Sequence, residues 1–166
     1  MEKLNIRSDS KDWRARILAN LPYTPFRIGK YFFKCVEAPL QGIKFAELEM
    51  REKVFDMTGM EALKAGRQIT NSIEEGRVAS IYWNSEVIEY NSIEHRLLIA
   101  MLIHEKVRQN PKVQRALLET ESVFIYHDVG EENPHTSLPE KFFIEILLAE
   151  RMLLKKLLDI SLRFGK

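Results

Sequence analysis

A predominantly helical α+β fold is what this sequence predicts, on three observations. Apolar residues recur at helical spacing over long stretches, the run around Gly29-Lys30 has the partial alternation of a β-hairpin, and β-branched and aromatic residues cluster at Val123-Phe124-Ile125-Tyr126. The length, 166 residues with 45% apolar and 30% charged side chains, predicts a single domain over residues 1–166 with a sizeable core.

The elements follow in order. The first twenty residues are polar and mixed, with Asp9, Ser10 and Asp12 offering caps for a short turn into Trp13, Ile17 and Leu18. Phe26 to Phe33 reads as a hairpin in which Gly29 supplies the turn's unusual φ. After Cys35 the residues Val36, Leu40, Ile43, Met50 and Val54 form one stripe, predicting a long helix from about Val36 to Met57 with Pro39 tolerated in its first turn. Thr58-Gly59 stops that helix. Met60 to Gly66 reads as a short helix with glycine at its C-terminal cap, and Arg67 to Trp83 as a loop with a turn of helix. Ser85 to Gln109 predicts a long helix through the middle of the domain, since Leu97 to Ile103 is too continuous for a one-sided stripe. Asn110-Pro111 caps a short helix to about Leu118, the strand at Val123–Tyr126 follows, and His127 to Thr136 is a loop. Ser137-Leu138-Pro139-Glu140 has capping-box spacing, and a final helix runs to about Arg163.

Composition excludes several function classes. Lys plus Arg total 25 against 24 for Asp plus Glu, so no overall basic field favours strong binding to unmodified DNA or to an anionic membrane. The one cysteine, Cys35, excludes an internal disulfide and a multi-cysteine metal site, and its environment predicts a packed thiol. A charged N-terminus and the lack of a run of roughly 18 apolar residues predict a cytoplasmic, membrane-free protein. No phosphate-loop, dinucleotide or zinc-protease motif occurs, and His95 and His104 fall on opposite faces of one helix, so neither a metal nor a cofactor is expected.

Glu37, Gln41 and Lys44 stand at i, i+4 and i+7 and form a short polar stripe. That spacing also describes a solvated helix face. Glu37 lies at the predicted start of its helix, where a carboxylate and a ligand's phosphates both find the positive end of the dipole.

Several ordered pieces then resemble one family. Leu18-Ala19-Asn20-Leu21-Pro22, Pro25 to Tyr31 with its Gly29-Lys30, and Val36-Glu37 followed by Gln41 and Lys44-Phe45 are similar to the opening block of the NADAR superfamily, the YbiA-like N-glycosidases. The resemblance continues through Ala65-Gly66-Arg67, Trp83, Lys106 to Pro111 and Leu117 to Thr120, and closes at Leu147 to Arg151, covering about residues 18–151. Cys35 and Ala38 stand where the family has serine and histidine, and its glycine-rich tryptophan loop is missing between Tyr126 and Ile144.

The resemblance implies a helical fold with a small β element, and hydrolysis of the bond between a base or amine and the ribose of an ADP-ribosyl or phosphoribosyl compound, such as ADP-ribosylated guanine or a damaged riboflavin precursor. It implies Glu37 as the carboxylate that stabilises oxocarbenium-like charge or handles a proton, and Lys44 as the nucleophile through a Schiff base. The implied partner is an ADP-ribose-like or phosphoribosyl small molecule, free or on nucleic acid; the altered loop leaves a binding module without turnover as the alternative. Substrate-binding candidates are Asn20 and Gln41 toward ribose or base, Arg67 toward phosphate, Trp83 for stacking, and Arg151. Each also has an ordinary structural reading: turn, solvated position, surface pair, core and inter-helix pair respectively. His127 is the histidine placed to substitute as an acid.

Overall fold

A computed structural model of the chain describes residues 1–76 and 79–165. Its elements run β1 (Lys3–Asn5), α1 (Trp13–Leu18), β2 (Phe26–Ile28), β3 (Tyr31–Phe33), α2 (Glu37–Gly42), α3 (Leu48–Phe55), α4 (Gly59–Glu74), β4 (Ser80–Trp83), β5 (Glu86–Glu89), α5 (Ile93–Gln109), α6 (Pro111–Glu119), β6 (Phe124–Tyr126) and α7 (Glu140–Phe164). Helices dominate, and the strands pair as a parallel β1–β6 and antiparallel β2–β3 and β4–β5, so the α+β reading holds. Among the described residues no helix is long and apolar enough to cross a membrane.

The core gathers on α5. Leu98, Ile99, Leu102, Ile103 and Val107 are buried there against Ile6, Leu18, Phe26, Leu117, Phe143 and Leu147, as the continuous apolar run predicts. The Gly29-Lys30 hairpin forms as expected, with Gly29 at φ 56°. Asp12 caps α1 by accepting from the Arg14 amide at 2.8 Å.

The expected helix from Val36 to Met57 is instead two helices. Carbonyls that a continuous helix would use internally are committed elsewhere. Ile43 O accepts the Tyr82 amide at 2.7 Å, and the buried Arg51 guanidinium donates to Phe45 O at 3.1 Å and Ala46 O at 2.9 Å. The chain therefore folds back on itself, and α3 packs on α2 with the Phe55 ring where a Cβ on Gly42 would lie.

Other boundaries move for similar reasons. Helix α4 starts at the Thr58 capping box, where the Thr58 amide donates to Glu61 Oε2 at 2.9 Å, and then runs straight through Gly66 to Glu74, absorbing much of the expected loop. The expected helix start at Ser85 is a second hairpin, β4–β5, turning at Asn84 with φ 51°. Asn110 does not cap α6 with its side chain; its amide nitrogen donates to Pro25 O at 2.9 Å and Lys106 O at 2.7 Å. Ser137 likewise makes no cap, because α7 begins after Pro139 and the Glu140 carboxylate accepts from the Val129 amide at 3.0 Å.

Lys106 on α5 is buried, and its Nζ donates to Leu18 O at 3.0 Å and Ala19 O at 2.6 Å. Burial brings this lysine down to about 7. The native state therefore sheds the proton first as pH rises, so the unfolded chain binds more protons between about pH 7 and the ordinary lysine range and stability climbs across that window. Lys106→Met is expected to cost about 1–3 kcal/mol, since two buried carbonyls lose their donor, and to flatten the climb. Urea unfolding of both proteins at pH 7 and pH 9 checks both effects.

Candidate active site

Building upward from α5, Lys106 Nζ holds the carbonyls of Leu18 and Ala19 and so sets the segment that carries Asn20. The Asn20 carbonyl accepts the Glu37 amide at 3.1 Å, which joins this segment to the start of α2. That bond takes the amide of the first residue of α2, a helix of only six residues, so the expected dipole site at Glu37 does not form. What forms is a side-chain row. Gln41 Nε2 donates to Glu37 Oε1 at 2.6 Å, and Lys44 Nζ donates to Gln41 Oε1 at 2.9 Å and to Thr70 Oγ1 at 3.0 Å. Thr70 in turn donates to Gly66 O at 3.0 Å.

The direction of every bond is set by its ends. A carboxylate accepts and an ammonium donates, so the amide of Gln41 has one productive orientation between them. Gln41 thus keeps Glu37 and Lys44 linked without direct contact. Lys44 is not on a helical turn shared with Glu37, as spacing suggested, because α2 ends at Gly42 and Lys44 follows its C-cap residue, Ile43.

Burial shapes the charges of the row. It draws the Lys44 ammonium down to about 8, against the pull of Glu37, which favours the charged form. It pushes the Glu37 carboxyl above the usual range, restrained by the Gln41 amide and by Lys44.

These residues face a cavity of about 330 Å³, within the range of small-molecule sites. Asn20, Glu37, Gln41, Lys44 and Arg67 all line it, so the structure brings together five candidates spread over residues 20 to 67. Arg67, exposed on α4, supplies a cation to the cavity lining. Residues that local spacing did not indicate complete the wall: Thr70 one turn beyond Gly66, and Asn133, Thr136 and Ser137 from the segment after β6. The i, i+4 relation of Thr70 to Gly66 is the signal that would have found the first, had α4 been read as continuous.

Two candidates lie elsewhere. Trp83 on β4 packs in an aromatic cluster, its ring centroid 6.1 Å from Tyr31, 6.2 Å from Phe55 and 6.5 Å from Phe33, rather than facing the cavity. Arg151 on α7 donates to the carbonyl and hydroxyl of Thr120, away from Glu37, because the C-terminal end of α6 needs a donor there. Its neighbour Glu150 meets His104 at 3.0 Å. Cys35 is buried, and burial pushes its thiol up, away from nucleophilic use.

His95 is buried, accepts the Asn91 amide on Nδ1 at 3.0 Å and is brought down to about 4, so it is neutral and structural. Among the described residues no group of three His, Cys, Asp or Glu is placed to hold a metal ion.

Comparison with known proteins bears on this arrangement. The model of the family described as bacteriophage protein GP30.3 matches residues 12–152. The chain is 27% identical over 149 residues to the uncharacterized 17.1 kDa protein in the Gp30–rIII intergenic region of Enterobacteria phage T4, over 89% of this chain and 95% of that protein. Its fold is similar to that of E. coli YbiA, solved by NMR, with a TM-score of 0.61 at 16% identity over 99% of this chain and 90% of YbiA. The YbiA-like fold that the motifs imply is borne out.

Proposed function

This chain belongs to the bacteriophage protein GP30.3 family, and on that premise we propose that it is an N-glycoside hydrolase acting on an ADP-ribosyl or phosphoribosyl compound. The observation that carries the reading is the Glu37–Gln41–Lys44 row in the wall of one cavity. A lysine buried enough to lose its proton near neutrality is a nucleophile, and a carboxylate kept off it is free to act on the substrate.

In this reading the ribose lies against the row with its anomeric carbon toward Glu37, and Arg67 takes a phosphate. As the bond from carbon to base nitrogen breaks, positive charge grows on the sugar and the Glu37 carboxylate offsets it. Lys44 Nζ attacks the anomeric carbon, the base departs with a proton, and the ring opens to an iminium on Lys44. One water then adds, returning the sugar aldehyde, the free amine and a proton. Gln41 keeps the acid and amine from neutralising each other before substrate enters.

Incubation of the pure protein with ADP-ribosylated DNA, and separately with phosphoribosylated pyrimidines, tests the reading by mass spectrometry of the released base. Free base is the expected product. Tight ADP-ribose binding without release would replace the enzyme with a binding module, which the altered segment after β6 also suits.

A further inference from the structure

Behind Glu37 lies a second cavity, of about 400 Å³. It shares Asn20, Glu37, Leu63 and His127 with the first, so these four side chains border both chambers. The chambers differ in chemistry. The first holds the Lys44 row and Arg67, whereas the second has an apolar lining of Ala19, Leu21, Val129 and Phe143. Arg7 and Asp9 also line the second, joined bidentately at 2.9 and 2.8 Å, which sets a donor beside an acceptor.

His127 has a defined tautomer. Its Nδ1 is 2.6 Å from Ile6 O, and a carbonyl only accepts, so Nδ1 carries the proton and Nε2 is the nitrogen left for other chemistry. The ring is further held edge-on by Phe143 at 5.2 Å. The parallel β1–β6 pair positions it, because Ile6 follows β1 and His127 follows β6. The departing base needs a proton donor, and Glu37 and Lys44 are both occupied at the sugar.

We propose that the second chamber is the leaving-base subsite and that His127 is the proton donor to the base. This rests on the hydrolase reading and extends it. A sugar whose anomeric carbon lies at Glu37, on the border of both, projects its phosphates into the Lys44 chamber and its base into the second. There a planar heteroaromatic base lies on the apolar lining, and the Arg7–Asp9 pair meets an edge that offers both an acceptor and a donor. As the bond from sugar to base breaks, its electron pair goes to the base nitrogen and a ring nitrogen of the base takes the proton from Nε2 of the His127 imidazolium. The proton set free when water hydrolyses the Lys44 iminium returns to Nε2 and closes the cycle.

Two measurements test this on the full chain. The first compares His127→Asn on two substrates; asparagine preserves a donor to Ile6 O but cannot deliver a proton. With ADP-ribosylated DNA, whose base must be protonated to leave, turnover is expected to fall roughly a hundredfold or more. With NAD, whose pyridinium leaves as neutral nicotinamide, the change is expected to stay within about threefold. Equal losses on both, or none on either, overturn His127 as the donor. The second uses binding alone, so it decides even where turnover is slow. ADP-ribose and a nucleoside, deoxyguanosine or cytidine, are titrated together by NMR, on the wild type and on Val129→Trp, which fills the second chamber. Simultaneous binding, with the nucleoside lost and ADP-ribose retained in Val129→Trp, supports the subsite. Mutual competition, or ADP-ribose lost with the nucleoside, overturns the subsite and leaves the hydrolase reading intact. Failure of ADP-ribose to bind the wild type, together with no base release, overturns both.

Discussion

On the proposed mechanism, Lys44→Ala is expected to lower turnover roughly a thousandfold or more, because its nucleophile is removed rather than weakened. Binding of ADP-ribose should change little, since Asn20, Glu37, Arg67 and the polar wall remain. The same residue has a second signature that needs no leaving group. Free ADP-ribose presents an aldehyde when its ribose opens, and a neutral Lys44 condenses with it to an imine that borohydride reduces to a stable adduct. The wild type should gain one ADP-ribose on Lys44 under these conditions and Lys44→Ala none, read by peptide mass spectrometry.

The sign of the pH dependence follows from burial. With the ammonium drawn down to about 8, the reactive fraction is small at pH 6 and rises about tenfold per unit toward 8 before levelling. Adduct formation, normalised to a small-amine control, should trace that rise. A flat profile would mean that Lys44 is no amine nucleophile, and full turnover in Lys44→Ala would leave Glu37 acting with an activated water.

Gly66→Ala is the second large effect, and it touches neither Glu37 nor Lys44. A Cβ at position 66 would stand 1.8 Å from Gln41 Oε1 and 3.0 Å from Gln41 Cβ, so the amide has to swing out of the row. Lys44 then loses its bond to Gln41, and Glu37 loses the amide that holds its carboxylate. A reacting group displaced by an ångström costs roughly a hundredfold in rate. Stability should move much less: alanine gains about 1 kcal/mol over glycine inside a helix, against about 1–3 kcal/mol for local overpacking. The expected result is therefore a fall in kcat with a near-native melting temperature. An unchanged kcat would remove Gln41 from the organisation of the site.

Gly66 also shows where local reading stops. From sequence it resembles a C-terminal cap, because glycine after a periodic segment ordinarily ends a helix. In the structure α4 continues through it, and the missing side chain is filled by Gln41 from another helix. The same limit separates Thr70 and Asn133, which local spacing does not indicate, from Glu37, Gln41 and Lys44, which spacing and motif mark in the sequence.

Whatever depends on neighbours a few residues apart is legible in the residue order: the hairpin turning at Gly29, the start of α6 at Pro111, the apolar centre of α5, and Glu37 one helical turn from Gln41. Tertiary structure alone decided the rest. It broke the helix after Gly42, since the carbonyls of Ile43, Phe45 and Ala46 are claimed by Tyr82 and Arg51. It made a strand of Lys3–Asn5, whose partners at Phe124–Tyr126 lie at the far end of the chain, and through that pairing it aimed His127. Periodicity reports the preferences of a backbone toward its own turn or pleat. Hydrogen bonds and close approaches between distant segments leave no periodic mark on the sequence, and they override those preferences wherever a buried carbonyl or amide needs a partner.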